Sequence, residues 1–395
     1  MRKSVVIAAT LLLFVPVLAS SAPAAAQARD ERREIAWPSP EFPTLQSAID
    51  ALSDGGTLRI AAGVFRLAEP LTIAAKRVSI EGAGCHPARP GRSVEQPLRP
   101  ARGGPERADR TTTLVGPAPL RVVEAERAAG LLSYVGAGGV VRGVRLSGFD
   151  AGIVTRNGDR PALPLTVQDA CISATGRGIL ALGSGAVSVL DSEIRETLWN
   201  AISVRPTTFT GVPLPIYVVN GTAVVDPGGA CVYVSGAPAF IGGSILANCL
   251  GRGVAGFQAT IVLFDSFIIN AKVGGVALQE SGIWMVNNIV NGTASAPLTP
   301  GVLGDGVVAA KSTGTFTNNQ IVSSERAGVS SFGSSLGLNG NTILCSAFDL
   351  DLEELDGTPG VIQDLGGNSC GCGQPAECVA TSSALQPPSP MGGLE

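Results

Sequence analysis

Short apolar runs recur at near-constant spacing along this chain. One column passes through Leu146, Ile172, Ile194, Ala223, Ile245, Ile268, Ile289, Ile321 and Ile343, in steps of 26, 22, 29, 22, 23, 21, 32 and 22 residues. A second column keeps pace through Ile153, Ile179, Ile202, Cys231, Val254, Val276, Val307 and Val329, usually preceded by Gly or Ala. Such a period marks stacked β-type units, each too thin to bury its apolar face without neighbours. Counted from the first column, positions −7 and −5 hold Leu165 and Val167, Val187 and Val189, Ile216 and Val218, Pro238 and Phe240, Ile261 and Leu263, Trp284, Phe316, and Leu336 and Leu338. These are expected to face inward. Positions −3 and −2 are rich in Asp, Asn, Ser and Gly, which tolerate tight bends. Coils about 4.8 Å apart would stack those bend residues into a ladder that satisfies turn amides.

Upstream of the columns, Phe42 to Leu52 places Leu45, Ala48, Ile49 and Leu52 on one helical face, with Thr44 to cap it and Gly55-Gly56 to end it. Strands are expected at Thr57–Ile60, Val64–Phe65, Leu71–Ile73 and Val78–Ile80, separated by turn residues. The segments FPTLQSAIDALSDGGTLRIAAGVFRL (42–67) and VSIEGAG (78–84), taken with the period, resemble the start of proteins of the pectin lyase-like superfamily. The resemblance covers roughly Phe42 to Cys345. It implies an all-β fold, a single-stranded right-handed parallel β-helix (solenoid) of about a dozen coils with an N-terminal capping helix. The matching residues are structural, so the resemblance implies little about activity.

The expected organisation is a signal peptide at 1–28, an N-terminal lead at 29–41 and the β-helix at 42–345. A C-terminal acidic and Cys-rich cap at 346–378 and a flexible tail at 379–395 follow. The leader reading rests on Arg2-Lys3, the apolar run Val5 to Leu18 and Ala26-Gln27-Ala28, which together point to a secreted or periplasmic product. Mean hydropathy is positive and Pro227 to Gly251 is uncharged, but that stretch is Gly-rich and both columns cross it in phase, so no membrane span is expected. Removing Arg2 and Lys3 takes the formal charge from −4 to −6, which argues against nucleic acid as a partner. Eight cysteines in an exported chain suggest disulfides, with Cys370, Cys372 and Cys378 stapling the terminal cap and Cys231 as a buried apolar residue.

Three loops exceed the period: Thr155 to Pro164 and Arg205 to Pro215 from one corner, and Asn291 to Gly304 from another. A fourth excursion, 86–110, carries six arginines and the chain's single histidine, His86. Chemistry concentrates best in Asp191-Ser192-Glu193-Ile194-Arg195-Glu196, with Asp169 one coil back. Carboxylates and an Arg on neighbouring coils are what a polysaccharide lyase or hydrolase needs to neutralise a uronate, move a proton and assist a leaving group. The expected catalytic set is therefore Asp169, Asp191, Glu193 and Arg195. If it works, it lines a groove walled by the two same-corner loops. Ligand contacts are expected from Arg156, Arg160, Arg177, Arg205, Tyr217 and Trp199, whereas Trp284 falls in an inward column.

The competing reading assigns Asp169 and Asp191 to the turns and Glu193 with Arg195 to a surface pair. Departures from the superfamily's enzymes favour it. The paired-Asp and Gly-His-Gly signatures of polygalacturonases, the Arg-x-Pro-x-x-Arg of pectate lyases and the Asp and Gln set of pectinesterases are missing. The favoured function is an exported, non-catalytic scaffold recognising a polysaccharide or cell-surface glycan. A lyase or hydrolase of acidic polysaccharide and a purely structural envelope protein are the alternatives. No metal site or cofactor is expected. Calcium at Asp349 to Asp356 is conceivable, although that run reads first as an acidic edge strand closing the last coil.

Overall fold

A computed structural model describes residues 32–85, 111–118, 127–205, 216–219, 221–295, 303–374, 376–389 and 391, with 216–219 as backbone. The expected signal peptide and the 86–110 loop lie outside the described residues. From Arg32 onward the chain winds into a β-helix whose strands pair in parallel and fall into three sheets. Sheet 1 has thirteen strands, from Glu34–Trp37 to Val361–Asp364. Sheet 2 has twelve, from Gly63–Arg66 to Ser369–Gly371, and sheet 3 has twelve, from Leu71–Ala74 to Ala380–Thr381. Each coil contributes one strand to each sheet in the order 1, 2, 3, which gives twelve coils.

The cap follows from local chemistry. Helix α1 (Leu45–Ala51) is started by Thr44, whose hydroxyl accepts from the Ser47 amide in a capping box, and it buries Leu45, Ala48 and Ile49 on the first coil. Gln46 pairs its side-chain amide with both the N–H and the carbonyl of Thr72, at 2.9 Å each, and so closes the free edge of sheet 3 as a strand would. Lys76 donates to the carbonyls of Ile49 and Leu52, which the helix end leaves open.

The turn from sheet 1 to sheet 2 is identical in plan from coil to coil. A residue in the left-handed region stands first, among them Asp169 (φ 47°), Asp191 (46°), Gly243 (55°), Asp265 (48°), Asn287 (56°) and Asn318 (54°). The next residue points inward and accepts from the amide one coil back. Asn288 N donates to Asn319 Oδ1 at 2.9 Å, Asn319 N to Asn341 Oδ1 at 2.9 Å, and Asn341 N to Asn368 Oδ1 at 2.8 Å. The expected ladder is therefore present, formed by the second residue of each pair. A Ser ladder, Ala259 N to Ser281 Oγ, Ser281 N to Ser312 Oγ and Ser312 N to Ser334 Oγ, holds the turn from sheet 3 back to sheet 1.

Inside, the two columns interlock. A Cβ on Gly306 would stand 2.4 Å from Ile321 Cγ2, and one on Gly328 2.4 Å from Ile343 Cγ2. The small residue before the second column is thus the space into which the first column's methyl groups pack.

Register corrects several expectations by one residue. Ile194 pairs with Val224, which pairs with Leu246, then Ile268, Val290 and Ile321. Val224, Leu246 and Val290 are buried, whereas Ala223, Ile245 and Ile289 flank the column. Likewise Val232 replaces Cys231, Ala239 and Ile241 replace Pro238 and Phe240, and Ile283 and Met285 replace Trp284. At each slip two adjacent apolar residues follow one another, and alternation alone does not choose between them.

Four disulfides join Cys85 to Cys171, Cys231 to Cys249, Cys345 to Cys372 and Cys370 to Cys378. The last two staple the C-terminal cap as expected, and Cys231 is buried as one half of a bridge. The acidic run is not the closing edge. Phe348–Glu353 is the sheet 3 strand of the eleventh coil and pairs onward with Ala380–Thr381. Nor is the described tail free, because Ser383, Leu385 and Met391 lie against the outer face of sheet 3, where Met391 is fully buried.

Candidate functional site

The expected site residues separate onto different parts of the coil. Asp169 and Asp191 occupy the left-handed position of the sheet 1 to sheet 2 turn, a placement the bend itself accounts for. Glu193 and Arg195 sit two apart on the outer face of sheet 2 and form an ion pair, with Glu193 buried. Thr155 to Pro164 and Arg205 to Pro215 both leave the turn from sheet 3 to sheet 1, the opposite edge of sheet 1 from Asp169 and Asp191. Residues 206–215 of the second loop lie outside the described residues, and the described loop 155–164 connects at the edge of sheet 1 away from Asp169 and Asp191.

Of the expected ligand contacts, Arg156, Arg177 and Arg205 belong to sheet 3 and its ends. Arg156 donates to the Ala128 carbonyl at 2.8 Å, Arg177 is buried, and the Arg205 guanidinium lies 5.2 Å from the centre of the Tyr233 ring. Arg160 is exposed on the Thr155 to Pro164 loop, and Trp199 is part-exposed in the turn from sheet 2 to sheet 3. Tyr217 is in sheet 1, in register with Ser188 and Phe240.

That register position leads to an open surface. One row on the outer face of sheet 1 reads Thr166, Ser188, Phe240, Val262, Trp284, Thr315, Gly337 and Gln363, with position 217 in register between Ser188 and Phe240. The neighbouring row begins with charge, Arg59, Glu81 and Arg142, and continues through Gln168 and Leu190 into Gly242, Phe264, Val286, Thr317 and Asn339. Arg59 pairs with Glu34 at 3.1 Å and Glu81 at 3.7 Å, and Arg142 donates to Gln168 at 2.9 Å. Beyond Arg142 neither row contains a charged residue. Trp284 is 52% exposed, which corrects its assignment to the core. A Cβ on Gly242 would meet the Phe264 ring at 2.1 Å, so the glycine is what lets that ring lie over the preceding coil.

The outer face of sheet 3 has the opposite character. Asp305 and Arg326 form a buried bidentate ion pair, and Asp305 also accepts from the Ala327 amide. Asp351 and Glu353 project from the next strand. Burial, reinforced by the neighbouring Glu353 charge, pushes Asp351 up to about 6. For Glu353 burial acts upward too, but donors from Leu385, Ser382 and Ser383 outweigh it and hold the carboxyl below its ordinary value. Arg252 is half-buried, and burial brings it down to about 10 against the opposing pull of Tyr233. Sequence reasoning missed Asp305 and Arg326, which lie in neighbouring coils one period apart. It missed the aromatic row because the slip in register turned Phe240 and Trp284 inward. Among the described residues no group of three His, Cys, Asp or Glu is arranged to hold a metal ion, and no helix is long and apolar enough to cross a membrane.

Residues 177–343 match the family model described as right handed beta helix region. A comparison with curated protein sequences finds no match. Among solved structures, the catalytic unit of the thermostable GH87 α-1,3-glucanase from Streptomyces thermodiastaticus strain HF3-3 is similar over 82% of this chain, with 11% identity and a TM-score of 0.51. The chain spans 65% of the length of that unit. The A-module of the Azotobacter vinelandii mannuronan C-5 epimerase AlgE6 is similar over 82% of this chain and 93% of its own, with 13% identity and a TM-score of 0.49. Identities this low speak to fold and leave the chemistry open. The disulfides are those of a protein that matures in an oxidising compartment. With its coil order, its ladders and the match over 177–343 together, the chain has the fold of a right-handed parallel β-helix.

Proposed function

We propose that the chain is an exported, non-catalytic carbohydrate-binding scaffold, and that a neutral polysaccharide lies along the outer face of sheet 1. The observation that carries this reading is Trp284, half-exposed in a charge-free row it shares with Phe240 and the Tyr217 position. Aromatic faces stack on the C–H faces of pyranose rings, and Thr313, Thr315, Thr317, Ser335 and Asn339 nearby supply hydroxyl and amide partners. A uronate chain would need cations, and this face offers none past Arg142. The GH87 neighbour, whose substrate is an α-1,3-glucan, is compatible with a neutral glycan on such a scaffold.

The second reading, a lyase or hydrolase of acidic polysaccharide, draws on the Glu193–Arg195 pair one turn from Asp191, with Asp169 beneath and Arg156, Arg160, Arg177 and Arg205 as further contacts. One assay separates the two. Purified mature protein is offered neutral glucans, polygalacturonate, alginate and glycosaminoglycans while binding, reducing ends and unsaturated-product absorbance are recorded. Binding to a neutral glycan that weakens in Trp284→Ala, without product, is expected. Product formation abolished by Asp191→Ala or Arg195→Ala would overturn the scaffold reading.

A further inference from the structure

Sheet 3 carries an unusual outer face for a surface sheet. Its floor is apolar, with Tyr233, Ala255, Ala277, Val308, Ala310 and Phe332 all buried, and charged residues stand along it at outward positions. What covers this floor is the chain's own C-terminal segment. Past Ala380–Thr381 the segment makes no strand pairing, and side chains of the coils hold its backbone instead. Ser383 N donates to Asp351 at 3.0 Å and to Glu353 at 2.9 Å, Leu385 N donates to Glu353 at 3.0 Å, and Met391 N donates to Gln279 at 2.6 Å. In the other direction Arg326 donates to the Gln386 carbonyl at 2.9 Å and the Tyr233 hydroxyl to that of Met391 at 3.4 Å.

The segment reads Ser382-Ser-Ala-Leu-Gln-Pro-Pro-Ser-Pro-Met391. Pro387 and Pro388 have no N–H to leave unsatisfied and favour an extended backbone, Ala384 turns the chain through the left-handed region (φ 55°), and Leu385 and Met391 supply the apolar anchors. A proline-rich chain without strand pairing, read by side-chain acceptors over an aromatic and aliphatic floor, is a peptide-recognition geometry. A purely structural cover would be served by apolar residues beneath it. Here Asp351, Asp305 and Arg326 are buried under or beside the segment, at a desolvation cost that apolar side chains would not incur.

We propose that the outer face of sheet 3 between Tyr233 and Glu353 is a binding groove for an extended proline-rich polypeptide, and that residues 382–391 are its resident, displaceable occupant. The groove is independent of the glycan platform, which lies on sheet 1. To test it, the occupant is disabled from its own side in the full chain with Leu385→Asp and Met391→Asp, which leaves the groove untouched. Fluorescence anisotropy then follows a labelled synthetic peptide of residues 382–395. The double variant is expected to bind the peptide at least tenfold more tightly than the occupied wild type, and adding Glu353→Gln is expected to remove that gain. Equal binding to wild type and double variant, or a gain that survives Glu353→Gln, would overturn the proposal. Should the double variant lose its cooperative melt, hydrogen exchange on the wild type decides. The amides of Ser383, Leu385 and Met391 must exchange together and faster than the coil amides, and exchange only with the coils would refute displaceability.

Discussion

The outer faces of sheets 1 and 3 are made by the same coils at the same spacing, and they differ in what was placed over them. Beyond Arg142 the two outward rows of sheet 1 present Ser, Thr, Asn, aliphatic and aromatic residues without a charge, and they are left open. Sheet 3 presents Asp305, Arg326, Asp351 and Glu353, and these are covered by the chain's own C-terminal segment. A stack of coils is indifferent to its outward residues, because the ladders and the interlocked columns already hold each turn. Outward positions are therefore where two chemically different surfaces are written on one scaffold. Neutral hydroxyl and aromatic groups can meet water without cost, whereas covered charges need partners in place.

The largest effect expected from this contrast is at the buried pair. Asp305→Ala strands the Arg326 charge under the C-terminal segment and is expected to cost about 3–5 kcal/mol in denaturant unfolding. Thr315→Ala, outward on sheet 1, is expected to stay within about 0.5 kcal/mol. Equal costs would mean that the two faces contribute alike and that the contrast is only one of composition. The interior beneath both faces is tested next. Gly306→Val drives side-chain atoms toward Ile321 and is expected to cost about 1–3 kcal/mol. Gly282, where an added Cβ meets nothing within 4 Å, should accept Ala with little change in thermal melting.

Much of this architecture was legible from residues alone, for identifiable reasons. The capping helix, the period, the bend residues and the stapled C-terminal cap each have a local cause that survives any neighbour. Register was legible only where polar punctuation fixed it. Ile245-Leu246 and Ile289-Val290 are apolar at both positions, so hydrophobicity does not choose. Ser244 and Asn288, each two residues ahead of the buried member, do. That single slip carried Trp284 into the core on paper and hid the open face. The docked segment was not legible, since Ser, Pro and Gly near a terminus are as common in free tails as in straps. Its meaning lies in acceptors contributed by residues up to 112 positions away.

On the open face, Trp284→Ala is expected to weaken glycan binding by about tenfold, or about 1.4 kcal/mol, measured by titration calorimetry against the glycan selected in the panel. An unchanged affinity would remove the platform from sheet 1 and leave the comparison with one functional face.

The smallest expected effect separates the faces by pH. Burial and the neighbouring Glu353 charge raise Asp351 to about 6 although the Ser383 donors of the segment pull the other way, so the folded protein holds that proton more tightly than the unfolded chain. The contribution is complete at low pH and is lost as pH rises through about 6. Glu353 acts in reverse. Its lowered value stabilises docking above the ordinary carboxylate range and is lost as pH falls. The capped end is thus most stable between the two. The groups facing Asp351 are Glu353 on its own strand, Ser330 and Thr381 on the adjacent strands and Ser383 of the segment, and of these only Glu353 titrates in this range. Cleavage after Leu385 by chymotrypsin, corrected for the protease's own pH profile, should quicken several-fold from pH 5 to 7.5. Asp351→Asn should flatten that rise. Glycan binding on the two outward rows of sheet 1, which hold no acidic or basic residue between Arg142 and Gln363, should remain level over the same range. A parallel pH dependence of both readouts would show that the two faces are coupled, and the separation drawn between them would fail.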